Sequence, residues 1–261
     1  VFYVKEFLKD SSGCGYIIDN SKFNTRDNQI RLDGVSGKSG SEIFIRLADT
    51  NHQRNSAVML VNRRYSWRGY GSDHKIKNGS THVTFTTSID GRVVGTVTLG
   101  VDSRSGLAAD DIFHEELNDF RDRPGTKLCE LTKLAFDAEC PSRPLLAAMF
   151  HVVFIYGQRN YQCTHLFIEV NPRHRRYYEV MLGFNAIGCV KTNKNVDAPA
   201  QLMYIEVNKI RKNITKFKNE MAKERSRSLY PFFFSEMEED GIFNRLMKSC
   251  RQFPRNPSLD N

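Results

Sequence analysis

A thiol, a carboxylate and an ammonium lie within a few residues of one another in Cys129-Glu130-Leu131-Thr132-Lys133-Leu134-Ala135. Glu130 could take a proton from a substrate, the work of a general base. The competing reading is an exposed strand glutamate paired with Lys127 or Lys133. Cys129 would need a neighbouring base to act as a nucleophile, and no histidine stands near it in the sequence. The seven histidines form no ligand-spaced group, and the six cysteines contain no CxxC pair, so neither points to a metal. The cysteines read as reduced, mostly packing thiols. A second cluster, Arg63-Arg64-Tyr65-Ser66-Trp67-Arg68-Gly69-Tyr70, offers guanidinium groups suited to a carboxylate, because arginine can donate two parallel bonds. A third, Arg173-His174-Arg175-Arg176, is strongly basic. The letters GKS in Gly37-Lys38-Ser39 lack the upstream glycine and the preceding apolar strand of a P-loop, which is rejected.

The elements that must position these groups follow from periodicity. Residues 1–40 are rich in Ser, Gly, Asn and Asp and read as a flexible lead-in. Ser41–Ala48 alternates as a strand, and Asp49 and Thr50 offer cap oxygens to a helix through about Tyr65. Thr81–Ser88 and Arg92–Val101 form a hairpin around Ile89-Asp90-Gly91. Helices are expected at 107–120, at Ser142–Tyr156 and at Asn171–Leu182, the last ended by Gly183. Further strands are expected at Lys127–Phe136, His165–Val170 and Gln201–Val207. A basic helix over 208–227 leads to the aromatic knot Tyr230-Pro231-Phe232-Phe233-Phe234 and an acidic–apolar helix near 235–249; the knot either pins this tail to the core or is an exposed acyl or partner contact. The order predicts an α+β fold with a mixed, mostly antiparallel sheet flanked by helices.

This order resembles the GNAT acyltransferase fold. The Cys129–Ala135 run resembles the Glu-x-Ser-Arg-Phe strand of acyl-homoserine-lactone synthases. Asn171-Pro172-Arg173-His174-Arg175-Arg176-Tyr177-Tyr178, ending at Gly183-Phe184, resembles the fourth-helix segment of GNAT proteins. Together they are similar to the bacterial N-acyl amino acid synthases, relatives of those autoinducer synthases. The resemblance divides the chain into the lead-in 1–40, a GNAT-like domain 41–210 and a helical C-terminal extension 211–261. Ordinary GNAT enzymes cradle the coenzyme A pyrophosphate on a glycine-rich loop at a helix N-terminus. Here that stretch reads Asp137-Ala138-Glu139-Cys140-Pro141-Ser142-Arg143-Pro144, with no glycine, two acids and two prolines. The departure favours acyl-phosphopantetheine on acyl carrier protein as donor, with acyl-CoA the alternative and no permanently bound cofactor.

The resemblance implies transfer of a fatty acyl group to the α-amine of an amino acid. Glu130 is then the base and Tyr178 a proton donor to the departing thiolate. Alternation puts Glu130, Thr132 and Leu134 on one face of their strand, with Leu131, Lys133 and Ala135 on the other, unless a bulge intervenes. Lys133 stands at the family's arginine position and could hold a substrate carboxylate. Backbone N–H groups near Leu134 to Phe136 could stabilise the oxyanion. Arg64 and Trp67 are acceptor contacts. Arg143, Asn171, Arg173 and Arg176 are contacts to the donor or its carrier. Met149, Phe150, Val153 and Phe154 could line an acyl tunnel, or simply be core.

The formal net charge of +8 favours an acidic partner. An acidic carrier protein fits, and peripheral contact with an anionic membrane stays open. A coenzyme A-dependent acetyltransferase and a non-catalytic nucleic-acid-binding protein are the alternatives; no helix-turn-helix, zinc or RNA-binding signature supports the second. With no apolar run long enough to span a membrane and no signal-peptide pattern, a cytoplasmic location is expected.

Overall fold

Thr50 begins the first helix as the sequence implies. Its hydroxyl accepts the Gln53 N–H at 3.3 Å, and Gln53 Oε1 accepts the Thr50 N–H at 3.2 Å, closing a capping box on α1, Asn51–Ser66. The structure is a computed structural model that describes residues 29–32, 42–77, 79–137, 142–218 and 227–252. The glycine-poor stretch is therefore described only at Asp137 and from Ser142 onward. The GKS run lies outside the described residues, as does the second half of the basic helix expected over 208–227.

Among the described residues eight strands form one sheet: β1 Ile30–Leu32, β2 Ile43–Leu47, β3 His82–Ile89, β4 Arg92–Val101, β5 Leu128–Phe136, β6 His165–Val170, β7 Asn185–Asn193 and β8 Ala198–Glu206. Their order is β1-β2-β3-β4-β5-β6-β8-β7, antiparallel except for the parallel pair β5–β6. Asp90 and Gly91 both take positive φ, 49° and 80°, the turn a two-residue hairpin needs to match strand twist.

One sheet face carries α3 Arg143–Tyr161, α4 Arg175–Leu182, α5 Val207–Lys218 and α6 Glu236–Gln252, and buries the main core. The other face carries α1, packed through Leu60, Val61 and Tyr65, and α2 Asp110–Arg121, packed through Phe113, Leu117 and Phe120. The aromatic knot docks on the main core: Tyr230, Pro231 and Phe234 are buried, and Tyr230 donates its hydroxyl to Leu182 O at 2.7 Å.

Several expectations need correction. Ile30–Leu32, placed in the flexible lead-in, is an edge strand paired with β2. β7 was not foreseen: it is a mostly exposed edge strand whose partly buried contacts, Ile187 toward α2 and Lys191 on Glu116, do not alternate in the sequence. The helix expected at 171–182 is a 3-10 turn, Pro172–His174, followed by α4, because Pro172 starts the turn under the Asn171 side chain. α3 runs to Tyr161, five residues further than expected, and ends in a left-handed Gln162.

Candidate active site

β5 carries the site because it is held on both sides for only half its length. It pairs with β6 over Leu128–Leu131, opposite His165–Ile168, and no further. Beyond Leu131 it follows β4 as far as Phe136, while β6 follows β8 to Val170. A gap therefore opens in the sheet between Thr132 on one wall and Glu169 on the other. At its edge β5 bulges: Thr132 lies opposite Thr98, but Ala135 lies opposite Thr96. The extra residue is accommodated at Lys133, with φ of 53°. The bulge corrects the alternation. Leu134 falls into the main core with Leu131, and Ala135 packs with α1.

Glu130 is buried, 3% exposed, and is not the exposed strand glutamate of the competing reading. Its two oxygens accept the N–H groups of Ala108, at 2.6 Å, and Ala109, at 3.1 Å, just before α2 begins. A helix N-terminus presents such unsatisfied donors and favours an anion. Gly100 lies opposite on β4, where an added Cβ would sit 3.1 Å from the Glu130 side chain. Arg121 fixes the start of α2 by bridging Asp102 and Asp110, each at 2.7 Å. Burial drives the Glu130 carboxyl upward against those two N–H bonds; Glu169 adds to the rise, and the result is about 7. Burial pulls the Lys133 ammonium below its ordinary range, opposed by Glu130 and Glu169. Glu130, Lys133 and Glu169 thus interact at the gap, with Lys77 acting on the first two, and Glu169 was missed in the sequence. A lone acid in the otherwise apolar end of His165–Val170 was the available signal.

The end of α1 is tied to the end of β5, because Arg63 (3.1 Å) and Arg92 both bond Asp137 Oδ2. Asp137 is thereby neutralised, which removes one of the two repelling charges expected at the glycine-poor stretch. After α1 the chain folds back: Asn62 bonds the backbone of His74, and Tyr65 meets Tyr70 and His74 edge-on. Trp67 is 63% exposed, with the guanidinium groups of Arg64 and Arg68 over its ring at 5.2 and 4.3 Å. Arg173 reaches this loop, donating to Tyr70 Oη at 3.4 Å. The structure therefore sets Arg173, expected as a donor or carrier contact, beside the first-helix loop, where acceptor contacts had been expected.

The remaining predicted residues lie toward the other face. Tyr178 is fully buried in the main core, edge-on to Tyr177 and Phe184. It is not on the α2 face with Glu130. Phe136 is buried in the same core. The Asp137 N–H donates to Val94 on β4, so strand alternation turns the Phe136 N–H toward the gap. Arg143 donates to Ser228 O at 2.8 Å and lies over Phe232, inside the C-terminal arm. Asn171 Oδ1 accepts the Arg173 N–H at 3.2 Å, and Arg176 is exposed on α4, 3.7 Å from Glu179. Phe150 and Phe154 line a small apolar recess with Leu166, Phe184, Ile205 and Tyr230; Met149 and Val153 are not among its walls. Cys129 is buried, and its hydrogen bond with Cys163 together with burial pushes its thiol well up, away from nucleophile character.

A mixed, mostly antiparallel sheet splayed at its parallel pair, flanked by helices, is a GNAT-like fold, and Glu130 stands at its opening. The family model for the N-acyl amino acid synthase FeeM matches residues 56–206. The solved structure of FeeM, from uncultured soil microbes, is 28% identical with a TM-score of 0.62, covering 67% of this chain and 96% of that one. The AHL synthase LasI aligns at 13% identity and a TM-score of 0.48, covering 65% of this chain and 92% of its own. A coenzyme A-dependent acyl-homoserine lactone synthase, BjaI, aligns at 12% and 0.46, covering 80% and 90%. No curated protein gives a significant match. The chain belongs to the FeeM family of N-acyl amino acid synthases and is an acyltransferase. No helix among the described residues is long and apolar enough to cross a membrane.

Proposed function

We propose that the protein transfers a fatty acyl group from the phosphopantetheine thioester of acyl carrier protein to the α-amine of an amino acid. The observation that carries this reading is the gap beside Glu130, whose carboxyl sits near 7. A base with that value is half ionised at neutral pH and can both take and release a proton. The amine arrives as an ammonium on the α1/α2 face, where Lys133, Arg64 and Trp67 can meet its carboxylate and side chain. Glu130 takes the proton, directly or through a water it orders, since each carboxylate oxygen keeps a lone pair beyond its backbone bond. The free amine attacks the thioester carbon across the gap. Backbone N–H groups of β5 near Leu134 to Phe136 receive the oxyanion. As the C–S bond breaks, the nitrogen gives up its second proton, which restores Tyr178 after Tyr178 has protonated the thiolate leaving on the α3/α4 face; Glu130 releases the first proton to solvent. The products are the amide, the carrier thiol and one proton.

The start of α3 supports a carrier-bound donor. Ser142 Oγ accepts the Leu145 N–H at 3.2 Å, and Pro144 has no N–H, so this helix N-terminus offers few donors to a pyrophosphate. Arg176 and Arg173 can meet an acidic carrier, Asn171 holding the turn between them. The test compares one acyl group on acyl carrier protein and on coenzyme A. The expected result is a kcat/KM at least ~10-fold higher for the carrier, falling with salt as charge steering is screened. Equal or better use of acyl-CoA would defeat the carrier assignment.

A further inference from the structure

We propose that Glu169 is the residue that receives the acceptor's ammonium, with Asn193 as its positioning residue, so that the gap selects a zwitterionic α-amino acid. The proposal deepens the acyl-transfer reading and rests on it for the identity of the acceptor. Glu169 is the first residue of β6 beyond the last rung it shares with β5, Leu131 opposite Ile168. Its side chain leaves the sheet on the α1/α2 face: two residues earlier Phe167 packs edge-on to Phe120 of α2, 5.1 Å between centroids, and strand side chains repeat every second residue. Glu130 leaves β5 on that same face to reach α2.

The carboxylate is held in place from the far side. Asn193, buried at the end of β7, donates its amide to Glu169 Oε1 at 2.6 Å. The carbonyl of the same amide accepts the Asn195 N–H at 2.9 Å, which locks its orientation and ties Glu169 to the β7–β8 turn. An amide donor carries no charge of its own, so this bond orients the carboxylate. Across the gap stands Lys133, lifted out of the regular strand by its bulge. An anion on one wall and a cation on the other match the two charges of an α-amino acid. Glu169 also pushes the Glu130 carboxyl up, which places the two acids within each other's field. The ammonium would then sit at Glu169 with its transferable proton directed to Glu130.

The test separates binding from turnover. The full-length chain is titrated calorimetrically with L-amino acids and with the matching carboxylic acids that lack the amine. Glu169→Gln is expected to weaken amino-acid binding at least ~10-fold and to leave the amine-free acids unchanged; Asn193→Ala should show the same selectivity to a smaller extent. In the acyl-transfer assay the acid limb of kcat/KM should move to lower pH in Glu169→Gln, because a charge holding Glu130 up is gone. Equal loss for both ligand sets, no loss, or no binding of any amino acid by the wild-type chain overturns the proposal. Ammonium-selective binding that depends on Glu169, without formation of any N-acyl product, would support this assignment and defeat the acyl-transfer reading.

Discussion

Glu130 does two things that pull against each other. It caps the start of α2, which favours its charged form, and it is buried, which favours its neutral form. Its pKa is raised above the ordinary 4.5, so the folded state holds the proton more tightly than the unfolded chain does. The associated stability is full below about pH 4.5 and is lost as pH rises through about 7, at about 1.4 kcal/mol for each pH unit in that interval. In a Glu130→Gln variant that dependence disappears. Denaturant melts should therefore show the variant gaining on wild type between about pH 5 and 8; a difference independent of pH would contradict the assignment. At neutral pH the same variant should lose roughly 100-fold or more in turnover. Lys133 gives a second test. Its left-handed φ costs about 1 kcal/mol in any residue but glycine. Lys133→Gly should keep stability within about 1 kcal/mol of wild type while turnover falls by at least ~10-fold. A stable variant with full turnover would mean that the ammonium plays no part.

The N-terminus of α2 is positioned by charge. Arg121 comes from its last turn and bridges Asp102, before the helix, and Asp110, at its start. Arg121→Met would take the bridging guanidinium from both acids, leaving Asp110 its contacts with His114 and the Leu107 N–H, and should cost about 1.5–3 kcal/mol, the range for hydrogen bonds to charged groups. Looser Ala108 and Ala109 donors would also let the Glu130 carboxyl rise further. The acid limb of the pH–rate profile should then move upward, opposite to Glu169→Gln. An unmoved limb would separate α2 from the chemistry. At this level the sequence was informative wherever the pattern was strong. The capping oxygen at Thr50, the Asp90-Gly91 turn, Gly183 and the β-branched runs of β3 and β4 were all legible. Exposed β7 had no alternation to read. The bulge at Lys133 was legible only as a contingency, because one extra residue leaves no mark in local composition. Glu130's bonds to Ala108 and Ala109 join residues some twenty positions apart in a pairing no motif encodes. Asn193 and Glu169 likewise meet only because β8 lies between their strands.

Across the whole molecule, the C-terminal arm is locked to the acyltransferase domain by a buried polar network. His151 of α3 accepts the Phe234 N–H at its Nδ1 (2.8 Å), so its Nε2 carries the proton toward Glu239 of α6 (3.0 Å). Arg211 of α5 donates to both Glu239 oxygens, and Arg159 adds a third cationic contact. Burial pushes the Glu239 carboxyl up, but the bonds from His151 and Arg211 outweigh it and bring it down to about 2. Burial holds His151 below its ordinary 6.5. Both groups therefore stabilise the docked arm at neutral pH. His151 begins to withdraw that support as pH falls below about 6.5, and Glu239 as pH falls from about 4.5 through about 2. Glu239→Gln takes the shared anion from two partly buried arginines and should cost about 1.5–3 kcal/mol, the range for hydrogen bonds to charged groups. Amide exchange in α6 should accelerate in that variant and in acid before exchange in β3 or β4 does. Simultaneous exchange of all of them would mean that the arm has no separate docking equilibrium.

The most direct test of the central claim is product identification. Acyl carrier protein bearing a defined acyl chain is incubated with the protein and a mixture of amino acids, and all species are weighed by mass spectrometry. The account predicts an amide whose mass is that of acid plus amino acid less one water, together with the free carrier thiol, both lost in Glu130→Gln. Thiol release accompanied only by free fatty acid, or an amide formed undiminished by Glu130→Gln, would contradict it.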